Sequence, residues 1–220
     1  MTAAEKALEL IADGMILGLG TGRAATAFIH ALGTRVQAGL RIRGVPTSQA
    51  SDQLARQLGI PLVELREIEQ IDIDVDGADE VDPQLNLIKG LGGALVREKI
   101  VAASSRKVVI LVGPEKLSPQ LGTRGVLPVE VVPFGVPLCQ RKLAALGIPS
   151  QVRQTAGSPF ISDNHNLILD CQLQPVADPA DLARRIGDIP GVVDTGMFLG
   201  MADVVIVEDG GQVQVKTRLG

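Results

Sequence analysis

The chain has few of the side chains that most often reveal a function. Among its 220 residues there is no tryptophan, no tyrosine and only four phenylalanines, so aliphatic side chains must fill most of the core. Its two cysteines, Cys139 and Cys171, are far apart and share no metal-ligand spacing with each other or with histidine. We therefore expect a reduced, cytoplasmic protein with no metal site.

Histidine is equally scarce, and no run of basic residues occurs. His30 lies on a predicted helix and His165 in a polar turn, each outside any motif, so proton transfer would fall to carboxylates and lysines. The formal net charge of −4 argues against a nucleic-acid partner. The longest apolar runs, such as 108–112, are much too short to cross a bilayer, which argues against a membrane partner.

The segment 76–98 contains most of the side chains that could take part in catalysis. Asp76 and Asp79 follow an apolar, strand-like run, and Lys89 opens a glycine-rich run that ends at Gly93. Glu98 follows on a predicted helix. Carboxylates, a lysine and backbone amides so close together in sequence equip the segment for acid–base chemistry on an anion.

The helix around Glu98 is apolar on nearly every side, which predicts that it is buried. Only residues 97–99 carry charge there, and they spread over more than half of the circumference, so at least one must point inward. A desolvated carboxylate has a raised pKa, which suits a general base near neutral pH. A buried ion pair of Glu98 with Arg97 or a distant lysine explains the pattern equally well. Periodicity also does not show which of Arg97, Glu98 and Lys99 points inward. The neighbours of Glu98 three and four positions away are Ala94, Leu95, Val101 and Ala102.

A second glycine-rich loop, 18–23, joins a strand-like run to a helix with an apolar stripe. This geometry presents backbone N–H groups to a phosphate. A P-loop is excluded because no Gly-Lys-Ser/Thr opens the helix, and a dinucleotide site is disfavoured because the next strand and its end, 41–47, carry no acid. The loop therefore predicts either a site for a small phosphorylated ligand or a merely tight turn.

Five segments of the chain match one known family in sequence and in order. They are GLGTG (18–22), TSQASDQLARQLGIPL (47–62), DGADEVD (76–82), KGLGGALVREKIVA (89–102) and LPVEVVPF (127–134). Together they closely resemble ribose-5-phosphate isomerase of the A type, and the likeness covers nearly the whole chain. The resemblance implies an aldose–ketose isomerase of the pentose phosphate pathway, which interconverts D-ribose 5-phosphate and D-ribulose 5-phosphate through an enediolate. It also implies a homodimer or homotetramer that needs no cofactor.

The resemblance assigns a role to each matching residue. Glu98 matches the general base and Lys89 the catalytic lysine. Asp76 and Asp79 match a pair of substrate-binding carboxylates, either of which would also assist opening of the sugar ring. The other substrate-binding positions are Thr21, Gly22, Arg23, Ala24, Gly77, Ala78, Gly90, Leu91, Gly92 and Lys116.

The chain departs from the family pattern at three places. Arg23-Ala24 replaces Ser-Thr after the first glycine turn, Leu91 interrupts the second run of glycines, and Gly113-Pro114-Glu115-Lys116 replaces Asp-x-Ser-Lys. The first change removes two hydroxyl donors from the phosphate side. Arg23 either replaces them with a charge-assisted contact or points to solvent.

Two other functions are compatible with a sugar-phosphate site. A related deaminase or lactonase would be expected to recruit a histidine, and neither histidine here lies in a motif. A non-catalytic sugar-phosphate sensor would usually carry a DNA-binding helix-turn-helix, which the sequence does not show, and would not require Glu98 together with Lys89.

The first half of the sequence alternates strand-like and helical segments. This alternation predicts an α/β fold with a doubly wound, Rossmann-like parallel sheet, and the motifs fall at the ends of its strands. Strands are predicted near 15–19, 41–46, 60–65, 71–75 and 107–112, and helices near 2–12, 22–32, 48–58 and 93–104.

After residue 125 the order of segments becomes β-α-β-β-α-β, which predicts a smaller ferredoxin-like α+β domain. A last hairpin at 203–217 is expected to return to the first sheet. The predicted domains are a catalytic one, 1–125 with 200–220, and a small one, 126–199, that serves as a lid or a subunit interface.

Overall fold

The computed structural model describes residues 1–218, in which six α-helices and fifteen β-strands form. No helix in this range is both long and apolar enough to cross a membrane. The helices are α1 (Ala3–Leu8), α2 (Arg23–Gln37), α3 (Gln49–Gln57), α4 (Leu95–Ala103), α5 (Val136–Ala145) and α6 (Pro179–Gly187). The strands are β1 (Ile16–Leu19), β2 (Arg43–Pro46), β3 (Ile73–Gly77), β4 (Glu80–Val81), β5 (Leu87–Ile88), β6 (Val108–Val112), β7 (Val126–Val131), β8 (Ser150–Val152), β9 (Gln154–Thr155), β10 (Ser158–Pro159), β11 (Leu167–Gln172), β12 (Val192–Thr195), β13 (Met197–Phe198), β14 (Val204–Asp209) and β15 (Gln212–Thr217).

The described chain forms two compact units. The first contains Met1–Ala78, Arg97–Lys116 and the segment that begins at Gly200. The second contains Asp79–Val96 and Leu117–Leu199.

The limits of these units differ from the predicted domains at 79–96 and 117–125, two segments that the prediction placed in the first domain. Both pack in the second unit. The cause is pairing between segments remote in sequence: β5 forms an antiparallel ladder with β13, and the Gly122 N–H donates to the Glu80 carboxylate at 3.1 Å. Residues 219 and 220 of the predicted catalytic domain lie outside the described residues.

The first unit is built on a six-stranded sheet in the order β15-β14-β6-β3-β1-β2. Neighbouring strands are parallel except in the β14–β15 hairpin, which adds its first strand beside β6. The predicted Rossmann-like sheet and the return of the last hairpin to it are confirmed. Because β1 has β2 on one side and β3 on the other, the winding of the sheet reverses there. Ligands of such sheets bind beyond the carboxyl ends of the strands at this point.

The prediction of a strand at 60–65 is wrong. Leu62 makes a single parallel bridge to Gly44, and a turn of 3-10 helix follows at Leu65–Glu67. Pro61 explains the short pairing in part, because it lacks the N–H group that would extend the ladder. The prediction of a helix near 48–58 is confirmed by α3, which the Ser48 hydroxyl caps by accepting the Ser51 N–H at 3.1 Å.

The second unit contains a four-stranded antiparallel sheet in the order β12-β7-β11-β8. In the chain, α5 lies between β7 and β8, and α6 lies between β11 and β12. This is the ferredoxin-like arrangement that the sequence predicts. The β9–β10 hairpin is inserted before β11, and a three-stranded sheet, β13-β5-β4, completes the unit.

Each unit has its own largely aliphatic core. In the first, Phe28 is fully buried with side chains such as Leu17 and Val75. In the second, Cys139 and Cys171 are buried in the core of the antiparallel sheet. Burial raises the pKa of both thiols, that of Cys171 to about 12, so both stay protonated and unreactive at neutral pH.

Two glycines of β1 and its loop allow a close approach to β3. A Cβ atom on Gly18 would lie 2.6 Å from Val101 Cγ1 and would overlap the Asp74 carboxylate. A Cβ atom on Gly20 would overlap the Asp76 carboxylate and lie 2.6 Å from its Cα atom. Asp74 and Asp76 share one face of β3, and each is only 1% exposed. Glycine at positions 18 and 20 therefore makes room for two buried carboxylates.

We predict that Gly20→Ala lowers the free energy of unfolding by about 1–3 kcal/mol, the usual cost of forcing an extra carbon into a packed site. The added methyl group must displace the buried Asp76 side chain. Urea denaturation measures the change. Gly187→Ala at the end of α6 is the matched control, because a Cβ atom there meets nothing within 4 Å. Equal midpoints for the two variants would contradict the close approach at Gly20.

Candidate active site

In the first unit, the Asp76 side chain joins the loop after β1 to the end of β3. Its Oδ1 atom accepts the Thr21 N–H at 3.0 Å and the Gly77 N–H at 2.7 Å. Ala24 lies close to the same strand end, since a Cβ atom on Gly77 would be 3.7 Å from the Ala24 Cβ. The structure therefore brings together the glycine-rich loop 18–23, here called the candidate phosphate loop, and the start of the DGAD segment, 76–79.

A cluster of hydroxyl groups orients Thr21. Its Oγ1 atom lies 2.8 Å from Thr47 Oγ1 and donates to Ser48 Oγ at 2.8 Å. Thr47 is fully buried and donates to the Leu19 carbonyl at 3.1 Å. Sequence reasoning missed this role of Thr47 and Ser48. The available signal was their position just beyond β2, because the carboxyl ends of neighbouring parallel strands meet at one edge of the sheet.

The candidate phosphate loop ends at the N-terminus of α2, where partial positive charge favours an anion. Gly22 precedes the helix with a φ of +96°, a conformation that glycine adopts without strain. Arg23 is the first helical residue. Its side chain is 93% exposed, and its Nη2 atom lies 3.9 Å from Glu115 Oε1. Lys116 follows in the same 3-10 turn and is half-buried.

The structure distinguishes the three charged residues of α4 by their burial. Glu98 is 3% exposed, whereas Arg97 and Lys99 are half-buried. Val101, one turn further along the helix, is buried in a small apolar cluster with Val45. The helix thus carries one buried carboxylate, and burial is what the choice of Glu98 as a base requires.

A buried acid that the sequence did not single out lies two residues before Asp76. Asp74 is 1% exposed and lies beside Gly18. The alternation of acids at 72, 74 and 76 was the signal, since alternate residues of a strand share a face. Among residues 1–218, no group of three or more histidine, cysteine, aspartate or glutamate side chains is arranged to hold a metal ion.

In the second unit, Asp79 supports the glycine-rich loop, 89–93. Its Oδ2 atom accepts the Leu91 N–H at 2.9 Å, and its own N–H donates to the Ile88 carbonyl at 2.8 Å. The Asp79 side chain is half-buried. One carboxylate oxygen therefore has a fixed backbone partner, and the side chain still reaches solvent.

Lys89 is held on two sides within the same unit. Its N–H donates to the Gly196 carbonyl at 2.9 Å, and its Nζ atom lies 5.5 Å from the centroid of the Phe198 ring. The residue is only 4% exposed, and Phe198 is 1% exposed. An ammonium group over an aromatic face is attracted by the ring quadrupole, so Phe198 both covers and steadies the lysine.

The loop needs glycine at two of its positions and tolerates another residue at a third. Gly90 and Gly93 have φ values of +106° and +85°. A Cβ atom on Gly90 would lie 2.9 Å from the Leu95 Cβ, and one on Gly93 would overlap the Phe160 ring. Leu91 lies outside the left-handed region and is 51% exposed, so its side chain extends into solvent. The interruption of the glycine run is therefore accommodated without strain.

Two of the backbone amides expected to bind an oxyanion are already engaged. The Leu91 N–H donates to Asp79, and the Gly93 N–H donates to the Gly90 carbonyl at 3.0 Å. Within the described part of the chain, the amides of Gly90 and Gly92 are the ones that remain for a ligand. The glycine-rich loop therefore offers two backbone amides, those of Gly90 and Gly92, to an anion.

Comparison with known proteins identifies the family. The model of ribose 5-phosphate isomerase A (phosphoriboisomerase A) matches residues 43–211. A ribose-5-phosphate isomerase A from Roseiflexus sp. (strain RS-1) is 52% identical over 208 residues, which cover 93% of this chain and 89% of the relative. The protein of the same name from Gloeobacter violaceus is 49% identical over 217 residues, with 98% and 94% covered.

Solved structures agree over the whole fold. A D-ribose-5-phosphate isomerase in complex with phospho-erythronic acid has a TM-score of 0.95 at 39% identity, over 98% of this chain and 96% of its own. The ribose 5-phosphate isomerase A of Methanocaldococcus jannaschii has a TM-score of 0.94 at 39% identity, with the same coverage. This chain therefore belongs to the ribose-5-phosphate isomerase A family.

Proposed function

We propose that this protein is an aldose–ketose isomerase that interconverts D-ribose 5-phosphate and D-ribulose 5-phosphate in the pentose phosphate pathway. The observation that carries the proposal is that a member of this family buries both a carboxylate, Glu98, and an ammonium group, Lys89. A deaminase, a lactonase or a non-catalytic sensor is not favoured, because the family and its named relatives are isomerases.

Glu98 is the proposed base. Isomerisation removes a proton from C2 of the open-chain aldose and returns a proton to C1 through an enediolate. One carboxylate that reaches both carbons can perform both transfers. Glu98 is the buried member of the charged trio on α4, which supports this role.

Lys89 and the amides of Gly90 and Gly92 are the proposed partners of the enediolate oxygens. Negative charge grows on the carbonyl oxygen as the C2 proton leaves, so preorganised donors there lower the barrier. Phospho-erythronic acid, the ligand of the solved relative, is a phosphorylated sugar acid. Its carboxylate resembles the planar, anionic end of an enediolate, which supports donors of this kind in the family.

Asp76 and Asp79 are proposed to hold sugar hydroxyls, and Asp79 to assist ring opening. Each carboxylate accepts hydrogen bonds from backbone amides, which fixes its orientation. A carboxylate has about four acceptor positions, so one amide contact leaves Asp79 able to bind a hydroxyl as well. Asp79 is half-buried and Asp76 is fully buried, which favours Asp79 for proton exchange with the ring oxygen or O1.

The phosphate group is proposed to bind the loop from Thr21 to Ala24, with Arg23 and Lys116 as cationic contacts. The loop lies at a helix N-terminus, and Thr21 is oriented by its hydroxyl cluster. The 3.9 Å contact of Arg23 with Glu115 is long and exposed, so it holds the guanidinium only weakly. The arginine can therefore turn toward a bound phosphate.

We also infer a cytoplasmic homodimer or homotetramer in which the second unit supplies an interface. The exposed large apolar side chains of this unit include Phe134 at 97%, Val132 at 44% and Val193 at 42%. Exposed apolar groups on a water-soluble surface often mark an interface. Sedimentation equilibrium tests the inference, and a monomer at micromolar concentration would contradict it.

We predict that Glu98→Gln lowers kcat for ribose 5-phosphate by about 10²–10⁴-fold, because the amide cannot accept the C2 proton. The KM should stay within a few fold, since the substituted side chain keeps its shape. Glu69→Gln, which removes the same charge from an exposed side chain, is the control and should behave as wild type. A nearly normal kcat for Glu98→Gln would exclude Glu98 as the base and redirect attention to Asp79.

We predict that Arg23→Ala raises the KM for ribose 5-phosphate and weakens inhibition by inorganic phosphate in parallel, with kcat unchanged within a few fold. A phosphate contact far from the reacting carbons contributes mostly uniform binding. Arg35→Ala, an exposed arginine in the last turn of the same helix, is the control. If KM and phosphate inhibition both match wild type, Arg23 faces water and the loop amides suffice.

A further inference from the structure

Arg153, between β8 and β9, reaches the main chain of the glycine-rich loop within the second unit. Its Nη1 atom donates to the Gly90 carbonyl at 2.8 Å and to the Leu91 carbonyl at 3.0 Å. The side chain is only 11% exposed. The two contacts are therefore shielded from water, where charge-assisted hydrogen bonds are strongest.

The guanidinium group is itself fixed from two sides. Its Nε atom donates to Asp170 Oδ2 at 3.0 Å, and its Nη2 atom donates to Asp170 Oδ1, so the pair is bidentate. The group also lies 5.9 Å from the centroid of the Phe160 ring. Phe160 occupies the space that the missing side chain of Gly93 leaves open. Arg153 and Phe160 thus support opposite ends of the same short loop.

The contacts of Arg153 set the direction of two peptide planes. In a trans peptide, the carbonyl and the following N–H point in opposite directions. The Gly90 carbonyl binds Arg153, and the N–H of the same peptide, which belongs to Leu91, binds Asp79. This peptide is therefore held at both of its polar ends.

The next peptide has only one of its ends held in this way. Its carbonyl, that of Leu91, binds Arg153, so its N–H, that of Gly92, must point away from the guanidinium. The Gly92 N–H therefore points in the same general direction as the Leu91 N–H, which donates to Asp79. A cation at a carbonyl oxygen also polarises the peptide, which makes its N–H a stronger donor.

We infer that Arg153 is a positioning residue for isomerisation. It orients the Gly92 N–H toward the developing oxyanion and makes it a stronger hydrogen-bond donor. The inference rests on the proposed function and extends it beyond the residues that touch the substrate. Asp170 acts indirectly, because it fixes the orientation of the Arg153 guanidinium. Neither residue needs to contact the sugar.

The test compares Arg153→Gln with wild type in ribose 5-phosphate isomerisation. Removal of one oxyanion donor typically costs about 10²–10³-fold in kcat, so misdirecting the Gly92 N–H should cost about tenfold or more. The KM should change by less than about threefold. Asp170→Asn, which keeps Arg153 but loosens it, should lower kcat in the same direction and by less. Arg41→Gln, which breaks a bidentate pair with Asp13 in the first unit, is the matched control and should leave kcat unchanged.

A second measurement separates positioning from folding. Since the enediolate end resembles a carboxylate, the inhibition constant of phospho-erythronic acid should weaken in Arg153→Gln by about the same factor as kcat/KM, while inhibition by inorganic phosphate stays unchanged. A fall in kcat without this parallel loss, or a kcat within twofold of wild type, would overturn the inference. If Arg153→Gln fails to fold, Asp170→Asn and Arg153→Lys carry the same comparison. A wild-type protein inactive on ribose 5-phosphate would instead remove the proposed function itself.

Discussion

The constraint on which the first unit depends is the burial of Asp76 against the turn after β1. A carboxylate removed from water is costly unless donors meet it, and here the Thr21 and Gly77 amides do so. That arrangement is possible only because Gly20 carries no side chain. One buried charge therefore determines the residue type at 20, the direction of the candidate phosphate loop and the position of the DGAD segment.

The second unit applies the same principle to the loop from 89 to 93. Asp79 accepts the Leu91 N–H much as Asp76 accepts the Thr21 N–H. The two aspartates of the DGAD segment thus have equivalent structural tasks, since each orients the backbone of one glycine-rich loop. The backbone holds one oxygen of each carboxylate and so fixes the orientation of both side chains.

Periodicity and turn chemistry predicted the parts of the fold that depend on local sequence. The Rossmann-like sheet, the β-α-β-β-α-β order and the helix near 48–58 follow from patterns within a few residues. The compact units differ from the predicted domain limits because β5 pairs with β13, a partner remote in sequence. The prediction of a strand at 60–65 was wrong because Leu62 makes only a single bridge, which the missing N–H of Pro61 explains in part.

The residues of the candidate site also fall into those that the sequence predicted and those that it missed. Asp76, Asp79, Lys89 and Glu98 lie in one readable segment, yet helical periodicity could not choose Glu98 over Arg97 or Lys99. Burial distinguishes them, because only Glu98 is removed from solvent. Thr47 was missed although its position just beyond β2 was a signal, whereas Arg153 acts on a loop distant in the chain, and no local pattern indicates such a contact. Proton NMR of ribose 5-phosphate with the purified protein in D₂O tests the central claim most directly. The account predicts ribulose 5-phosphate with deuterium at C1 and some deuterium at C2 of the recovered aldose, whereas no ketose from folded protein would contradict it.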